Sequence, residues 1–185
     1  GLDLASTRDM AAWRLVWLVD ETLYTWGRYW VPRDAVHHRT ERAGVSYAGW
    51  VAAGHIKMTD GDVIDYREIR NDILADYERF HIQEIAFDPW NATQTVQELQ
   101  DAGARMVEFV QGPKSYHPAM QALESFYIPG NLAHGGDPVL MWNAANLVAR
   151  RDVNLNMAPD KKRSADKIDG MVALLMAVGA FSRSG

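Results

Sequence analysis

The sequence contains no cysteine among its 185 residues, which excludes disulfide bonds, thiolate zinc sites and a cysteine nucleophile. No apolar run is long enough to span a bilayer, which predicts no membrane association. The GxxxxGK[ST] phosphate loop and the HExxH zinc motif are both missing. We therefore expect no ATP hydrolysis by this chain alone, and any metal site must use oxygen or isolated histidine ligands.

The chain also lacks the basic excess typical of nucleic-acid-binding proteins. Its net charge is -5 and its pI is about 5.6, which disfavours a protein whose whole surface grips phosphates. A cluster of metal-binding carboxylates lowers the pI in the same way, so a local nucleic-acid site stays compatible with this balance. The length predicts one domain, residues 1–185. The chain opens at Gly1 on a strand-like segment, so we expect a fragment of a longer polypeptide.

The first third of the sequence predicts strands joined by tight turns, followed by short helices. Alternating apolar residues indicate three strands that form an antiparallel meander, at residues 1–5, 10–19 and 23–31. Helices are expected at residues 33–42 and 47–53, and Gly44 and Gly54 are typical helix-stop residues. The turn residues 59–62 predict a hairpin between residues 56–58 and residues 63–64.

The rest of the sequence alternates between helical and strand patterns. Helices are expected at residues 66–80, 92–102, 115–127, 138–149 and 166–181. Strands are expected at residues 82–87, 106–110 and 153–157, with a short extended piece at 132–133. Asp137 is a plausible N-cap for the helix that begins at Pro138, and Ser164 or Asp166 for the last one. A meander followed by this alternation predicts an α/β fold with a mixed sheet flanked by helices.

Three aspartates stand out as candidate ligands. Asp3 lies in an apolar strand, Asp88 ends a central strand, and Asp169 opens an apolar helix. Each has a plain alternative: a solvated residue at a strand edge, an Asp-Pro turn, and a favourable interaction with the helix dipole. Gly170, next to Asp169, would let a ligand or another chain approach closely. Together, three hard oxygen ligands without cysteine suit Mg²⁺ or Mn²⁺.

Four sequence segments resemble the nuclease domain of tailed-bacteriophage large terminases, and the resemblance covers nearly the whole chain. They are GLDLAS at 1–6 with Asp9, FDPWN at 87–91, GGDPVLMW at 135–142 with Asn146, and PDKKRS at 159–164 running into KIDG at 167–170. The last segment is the most specific.

This resemblance implies a ribonuclease-H-like fold and a two-metal endonuclease that cuts double-stranded DNA. It makes Asp3, Asp88 and Asp169 the catalytic metal ligands for two Mg²⁺ or Mn²⁺ ions, with Asp9 and Asp166 as auxiliary ligands. In the family the domain cuts concatemeric DNA during packaging. The implied partners are an N-terminal ATPase domain of the same chain, a small terminase subunit and a portal protein. The implied location is the host cytoplasm, at the procapsid.

Several residues near these segments are further candidates. Lys161, Lys162 and Arg163 form the only compact basic run, which indicates either DNA phosphate contacts or a solvated loop. Lys114 follows Gly112-Pro113 and is a second candidate for the scissile phosphate. Trp13, Trp17 and Trp90 are most simply core residues.

Two alternative functions stay open at this point. One is another ribonuclease-H-like enzyme, such as a resolvase or a transposase-like protein, which branched and linear DNA substrates would separate. The other is a non-catalytic module that docks on a portal, and a metal titration would separate that one.

Overall fold

A computed structural model of the chain describes residues 1–4, 8–42, 46–91 and 93–184. The side chains of residues 40–42, 91 and 93 are not part of this description. Three predicted features fall outside the described residues: the end of the first strand at Ala5, the helix stop at Gly44 and the start of a helix at Ala92.

The first three strands form the predicted antiparallel meander. They are β1 (Leu2–Asp3), β2 (Ala11–Val19) and β3 (Thr22–Pro32). Leu2 lies opposite Trp13, and the β2–β3 ladder closes on a tight turn in which Asp20 has a φ of 53°. The antiparallel registers of β1 with β2 and of β2 with β3 confirm the prediction.

Four further strands complete a mixed sheet. They are β4 (Lys57–Thr59), β5 (Ile85–Phe87), β6 (Met106–Glu108) and β7 (Leu132–Ala133). The order across the sheet is β4-β3-β2-β1-β5-β6, and β7 also pairs with β3. The β1–β2 and β2–β3 pairs are antiparallel, whereas β5 runs parallel to both β1 and β6, and β4 and β7 run parallel to β3.

Helices cover both faces of the sheet. They are α1 (Arg33–Arg42), α2 (Tyr47–Ala52), α3 (Tyr66–Arg79), α4 (Thr93–Asp101), α5 (Pro113–Tyr127), α6 (Pro138–Asn146) and α7 (Asp169–Ser184). Ile69 and Leu99 of α3 and α4 share one apolar cluster with Trp13. Helices α5, α6 and α7 build a second cluster around Phe109.

The central helix is α7, which packs against β1, β2, β5, α5 and α6. Its residues from Val172 to Ala180 are all buried, as the apolar sequence predicts. No helix in the described part of the chain is both long enough and apolar enough to cross a bilayer.

The predicted hairpin around residues 59–62 is wrong. Strand β4 instead pairs in parallel with β3, with Lys57 opposite Trp30. The segment after it forms no strand because Ile64 turns into the core, where it is 3% exposed, and Asp65 caps α3 by accepting a hydrogen bond from the Arg67 backbone N–H. Ile64, the apolar residue after the predicted turn, therefore anchors this segment to the core and does not pair with β4.

The predicted strand at residues 153–157 is also wrong. Two short strands, β8 (Ala149–Arg151) and β9 (Met157–Pro159), form a separate antiparallel hairpin. Its turn is stabilised by the Asp152 carboxylate, which accepts hydrogen bonds from the backbone N–H groups of Asn154 and Asn156. The predicted helix at 138–149 ends at Asn146 so that Ala149 can enter this hairpin.

The last helix begins later than predicted, at Asp169. Neither suggested cap residue caps it. The Ser164 hydroxyl accepts a hydrogen bond from the Val148 backbone N–H, and Asp166 forms an ion pair with Arg39.

A buried polar network ties the meander to α6. The Arg14 side chain is 0% exposed and its guanidinium donates hydrogen bonds to Thr25 and to Tyr29 (3.1 Å each) and to the Asp137 carboxylate. The other oxygen of Asp137 accepts two backbone N–H groups at the start of α6, at 3.0 and 2.9 Å. Asp137 is thus the predicted N-cap and also the counter-ion of a buried cation.

We predict that Asp137→Ala lowers the free energy of unfolding by about 3–5 kcal/mol, because it leaves the buried Arg14 charge without its counter-ion. Asp65→Ala is the matched control, since Asp65 caps α3 without a buried cation; it should cost about 1 kcal/mol. Urea unfolding measures both values, and equal losses would show that only the cap matters.

Candidate functional site

Strand pairing brings Asp3 and Asp88 together. Strands β1 and β5 run parallel, with Leu2 opposite Phe87. The next residues, Asp3 and Asp88, therefore lie side by side at the carboxyl end of the parallel part of the sheet, the edge where α/β folds place their sites.

Asp169 joins this pair from α7. It is the first residue of the helix, and its carboxylate lies close enough to Asp3 and Asp9 for their charges to raise its pKa. Gly170 does permit a close approach, but by the chain itself. A Cβ there would lie 2.7 Å from the Tyr29 ring, and the Gly170 backbone N–H donates to the Asn143 side-chain oxygen at 2.6 Å.

Asp3 is buried, and Asp169 is half-buried with its Oδ2 atom inaccessible to solvent, which excludes a solvated, frayed terminus for Asp3. Asp3 is 5% exposed. Burial raises the pKa of Asp3 to about 6 and that of Asp169 to about 7, and the negative charges of neighbouring aspartates add to both shifts. The Asp169 Oδ2 atom has no hydrogen-bond partner among the described residues. Such a pair is costly to ionise unless a cation lies close by.

Two side chains compensate Asp3, and the sequence analysis missed one of them. The Lys161 Nζ atom lies 4.0 Å from Asp3, and the Gln111 amide donates a hydrogen bond to it at 3.1 Å. Gln111 lies three residues beyond the end of β6, whereas Asp88 directly follows β5. A polar residue at the end of the next parallel strand was the available signal.

The two auxiliary candidates lie in an ion-pair network. Lys167 pairs with Asp9, and Arg39 lies 3.6 Å from Asp9 and 2.9 Å from Asp166. Both aspartates are half-buried at the margin of the acidic site. Their role as ligands stays a prediction.

Asp88 sits in the turn that its sequence suggested. Its carboxylate accepts a hydrogen bond from the Trp90 backbone N–H at 3.2 Å, and the segment Pro89–Asn91 forms one 3-10 turn. This turn carries the Trp90 ring into solvent, where it is 83% exposed, so the prediction of a core residue was wrong. Trp17 is also not a core residue, since it is 41% exposed and stacks on Tyr24, whereas Trp13 is fully buried.

The carboxylates do not form a finished metal cluster as they stand. Within residues 1–4, 8–42, 46–91 and 93–184, no three acidic or histidine side chains are arranged to hold one ion together. Lys161 occupies the neighbourhood of Asp3 instead. The donor set itself suits a hard cation, because it consists of carboxylate oxygens and includes a buried oxygen without a partner.

The predicted DNA-contact residues divide into two groups. Lys161 and Lys162 line a cavity next to Asp3, together with Gln111. Arg163 is 78% exposed and pairs with Asp160, and Lys114 is exposed on the first turn of α5.

The sheet is mixed, and carboxylates lie where β1 and β5 end and on the helix that packs behind them. This is the architecture of a ribonuclease-H-like nuclease domain. The family model described as the terminase large subunit, endonuclease domain, matches residues 1–185. The chain belongs to this family, and the resemblance read from its sequence motifs is confirmed.

Two curated relatives are similar in sequence. The large terminase subunit of Enterobacteria phage HK97 is 34% identical over 183 residues, which cover 97% of this chain and 36% of the relative. Protein YmfN of Escherichia coli K12 is 32% identical over 161 residues, 82% of this chain and 35% of the relative. The chain thus spans about a third of the length of these relatives.

Solved structures agree. The crystal structure of the HK97 large terminase superposes with a TM-score of 0.90 at 34% identity, covering 97% of this chain and 38% of that one. The large terminase nuclease of thermophilic phage G20c shares the fold, with a TM-score of 0.62 at 13% identity over 99% of this chain and 80% of that one. The predicted ribonuclease-H-like fold is confirmed.

We predict that Asp169→Asn raises the melting temperature of the metal-free protein. The folded-state pKa of about 7 lies above the ordinary 3.8, so this group removes stability as pH rises from 3.8 through about 7. Asparagine does not ionise, so the gain should grow across this window and level off above it. Thermal melts in EDTA below and above the window measure it.

The lost interaction with the α7 dipole, about 0.3–1 kcal/mol, opposes this gain but is the smaller effect. A variant that is less stable than wild type above the window would show that the carboxylate is already compensated without metal.

Proposed function

We propose that this domain is a Mg²⁺- or Mn²⁺-dependent endonuclease that cuts concatemeric double-stranded DNA during phage packaging. Asp3, Asp88 and Asp169 are its catalytic residues and hold two metal ions, with Asp9 and Asp166 in auxiliary roles. The observation that supports this most is the grouping of the buried Asp3 carboxylate, the half-buried Asp169 carboxylate and Asp88 at one edge of the sheet. A stable protein retains such a cluster at a cost, which function explains.

The metal assignment rests on the chemistry of these side chains. Carboxylate oxygens without sulfur or histidine neighbours favour hard divalent cations. A structure of the G20c nuclease contains bound magnesium, and we extend the use of a divalent metal to this chain. When bound, the two ions activate a water and stabilise the leaving oxygen of the phosphodiester.

The side chains of the site are suited to the positive charge of divalent cations. Burial raises the pKa of both Asp3 and Asp169, so these residues would hold a divalent cation in their ionised form. Lys161, whose Nζ atom lies 4.0 Å from Asp3, is the counter-ion that such a cation would replace. The Lys161 ammonium would then be available to a DNA phosphate. Lys162, Arg163 and Lys114 extend the positive surface around the site.

The wider setting follows from the relatives. Since the chain spans about a third of their length, we propose that an N-terminal ATPase domain belongs to the same polypeptide. The small terminase subunit and the portal protein are the proposed partners, in the host cytoplasm at the procapsid. The family match replaces the resolvase and transposase alternatives.

A non-catalytic docking module is the second candidate. It is favoured by one observation: as the side chains stand, no three ligands in the described residues form a compact cluster. A calorimetric Mn²⁺ titration separates the two functions. Binding at submillimolar to millimolar Mn²⁺ supports the nuclease, and no binding supports the docking module.

We predict that Asp88→Ala abolishes Mn²⁺-dependent nicking of supercoiled plasmid while the thermal melt stays near that of wild type. Asp88 makes one backbone hydrogen bond at the surface of the sheet, so its loss removes a metal ligand with little loss of packing. Asp101→Ala is the control, because Asp101 is exposed on α4 and bonds only to Gln97 among the described residues. Full nicking by Asp88→Ala would refute the assignment.

A further inference from the structure

A cavity of about 410 Å³ opens beside the acidic site, between the start of α5 and the β8–β9 hairpin. Tyr116 lines it from α5, Gln111 lines it from the position before the N-cap of α5, and Arg150 lines it from β8. The hairpin is fixed to α5, since the Met157 backbone N–H donates to His117 Nδ1 at 3.2 Å. Part of the cavity wall therefore consists of packed elements, and Asp160, Lys161 and Lys162 of the segment that follows β9 complete it.

One buried donor faces this cavity without a partner. Tyr116 is 3% exposed, and its hydroxyl makes no hydrogen bond with any described residue. Its ring is held edge-on against Phe109 at 5.3 Å. A buried hydroxyl without a partner is costly, so its position indicates a ligand that accepts a hydrogen bond.

The charge of the cavity is positive. Arg150, Lys161 and Lys162 line it, and the single acidic lining residue is Asp160. The Asp160 carboxylate is already used, since it accepts the backbone N–H groups of Lys162 and Arg163 and lies 3.8 Å from the Arg163 guanidinium. Arg150 has no ion pair among the described residues. The N-terminal end of the 15-residue helix α5 adds a partial positive charge.

The cavity is continuous with the proposed catalytic centre. Gln111 donates its amide hydrogen bond to Asp3, and Lys161 lies 4.0 Å from the same carboxylate. A group bound here therefore lies next to the group that the aspartates act on.

We infer that this cavity binds a backbone phosphate of the DNA strand, next to the phosphodiester that is cut, through Arg150 and the Tyr116 hydroxyl. The inference rests on the proposed nuclease function for its substrate class. It adds two binding residues that the sequence motifs do not include, and it gives the β8–β9 hairpin the role of carrying one of them.

The test compares Arg150→Ala and Tyr116→Phe with Arg151→Ala. Arg151 is the next residue of β8, so it projects to the opposite face and does not line the cavity. Binding of a short fluorescein-labelled DNA duplex is measured by anisotropy in EDTA over a series of KCl concentrations. Arg150→Ala should reduce the slope of log Kd against log salt by about 0.9, the value for one lost phosphate contact. Arg151→Ala should leave that slope unchanged.

Tyr116→Phe should weaken binding by about two- to tenfold without changing the salt slope, because it removes a neutral hydrogen bond and keeps the ring against Phe109. In Mn²⁺-dependent nicking, both cavity variants should raise KM with kcat nearly unchanged, which is the pattern of lost uniform binding. Thermal melts of each variant confirm the fold.

The inference is overturned if both cavity variants match Arg151→Ala in binding, or if the wild-type chain does not bind the duplex at the lowest salt of the series. Failure of the proposed function looks different. In that case wild type and Arg151→Ala bind DNA with the same salt slope, and Arg150→Ala binds with a slope reduced by about 0.9. None of the three proteins nicks DNA in Mn²⁺ or Mg²⁺.

Discussion

The parallel pairing of β1 with β5 is the constraint on which the site depends. One register, Leu2 opposite Phe87, places two aspartates from distant parts of the chain next to each other. A shift by one residue would turn one of them to the other face of the sheet. Helix α7 packs behind these strands through a wholly apolar surface, so the position of Asp169 follows from the core. Packing of apolar residues therefore holds three acidic side chains close together.

This arrangement costs stability, and the surrounding side chains show how the chain offsets that cost. Lys161 lies near Asp3, while Lys167 and Arg39 neutralise Asp9 and Asp166 at the margin. These cations do for the metal-free protein what divalent ions would do in the active one. Lys161 is thus a counter-ion of Asp3 in the metal-free protein, and we propose it as a phosphate ligand when metal and DNA are bound.

The sequence predicted the meander, the strand-helix alternation and the buried last helix, because each depends on a local apolar period. It failed where a local pattern had a different tertiary purpose. Ile64 flanks a turn but anchors the core, and Asp152 builds a turn inside the segment predicted as a strand. Gln111 and Tyr116 carry no motif, and their importance arises only from the neighbours that the fold gives them. The three aspartates were predicted from their combination, and the family resemblance then assigned them as metal ligands, since each has an ordinary structural explanation on its own.

The central claim is that Asp3, Asp88 and Asp169 capture divalent cations together. The most direct measurement is a crystal of the domain soaked in MnCl₂ and examined for anomalous scattering. The account predicts two peaks roughly 3.5–4 Å apart among these carboxylates, with Lys161 displaced from Asp3. Clear density for all three side chains without an anomalous peak between them would contradict it.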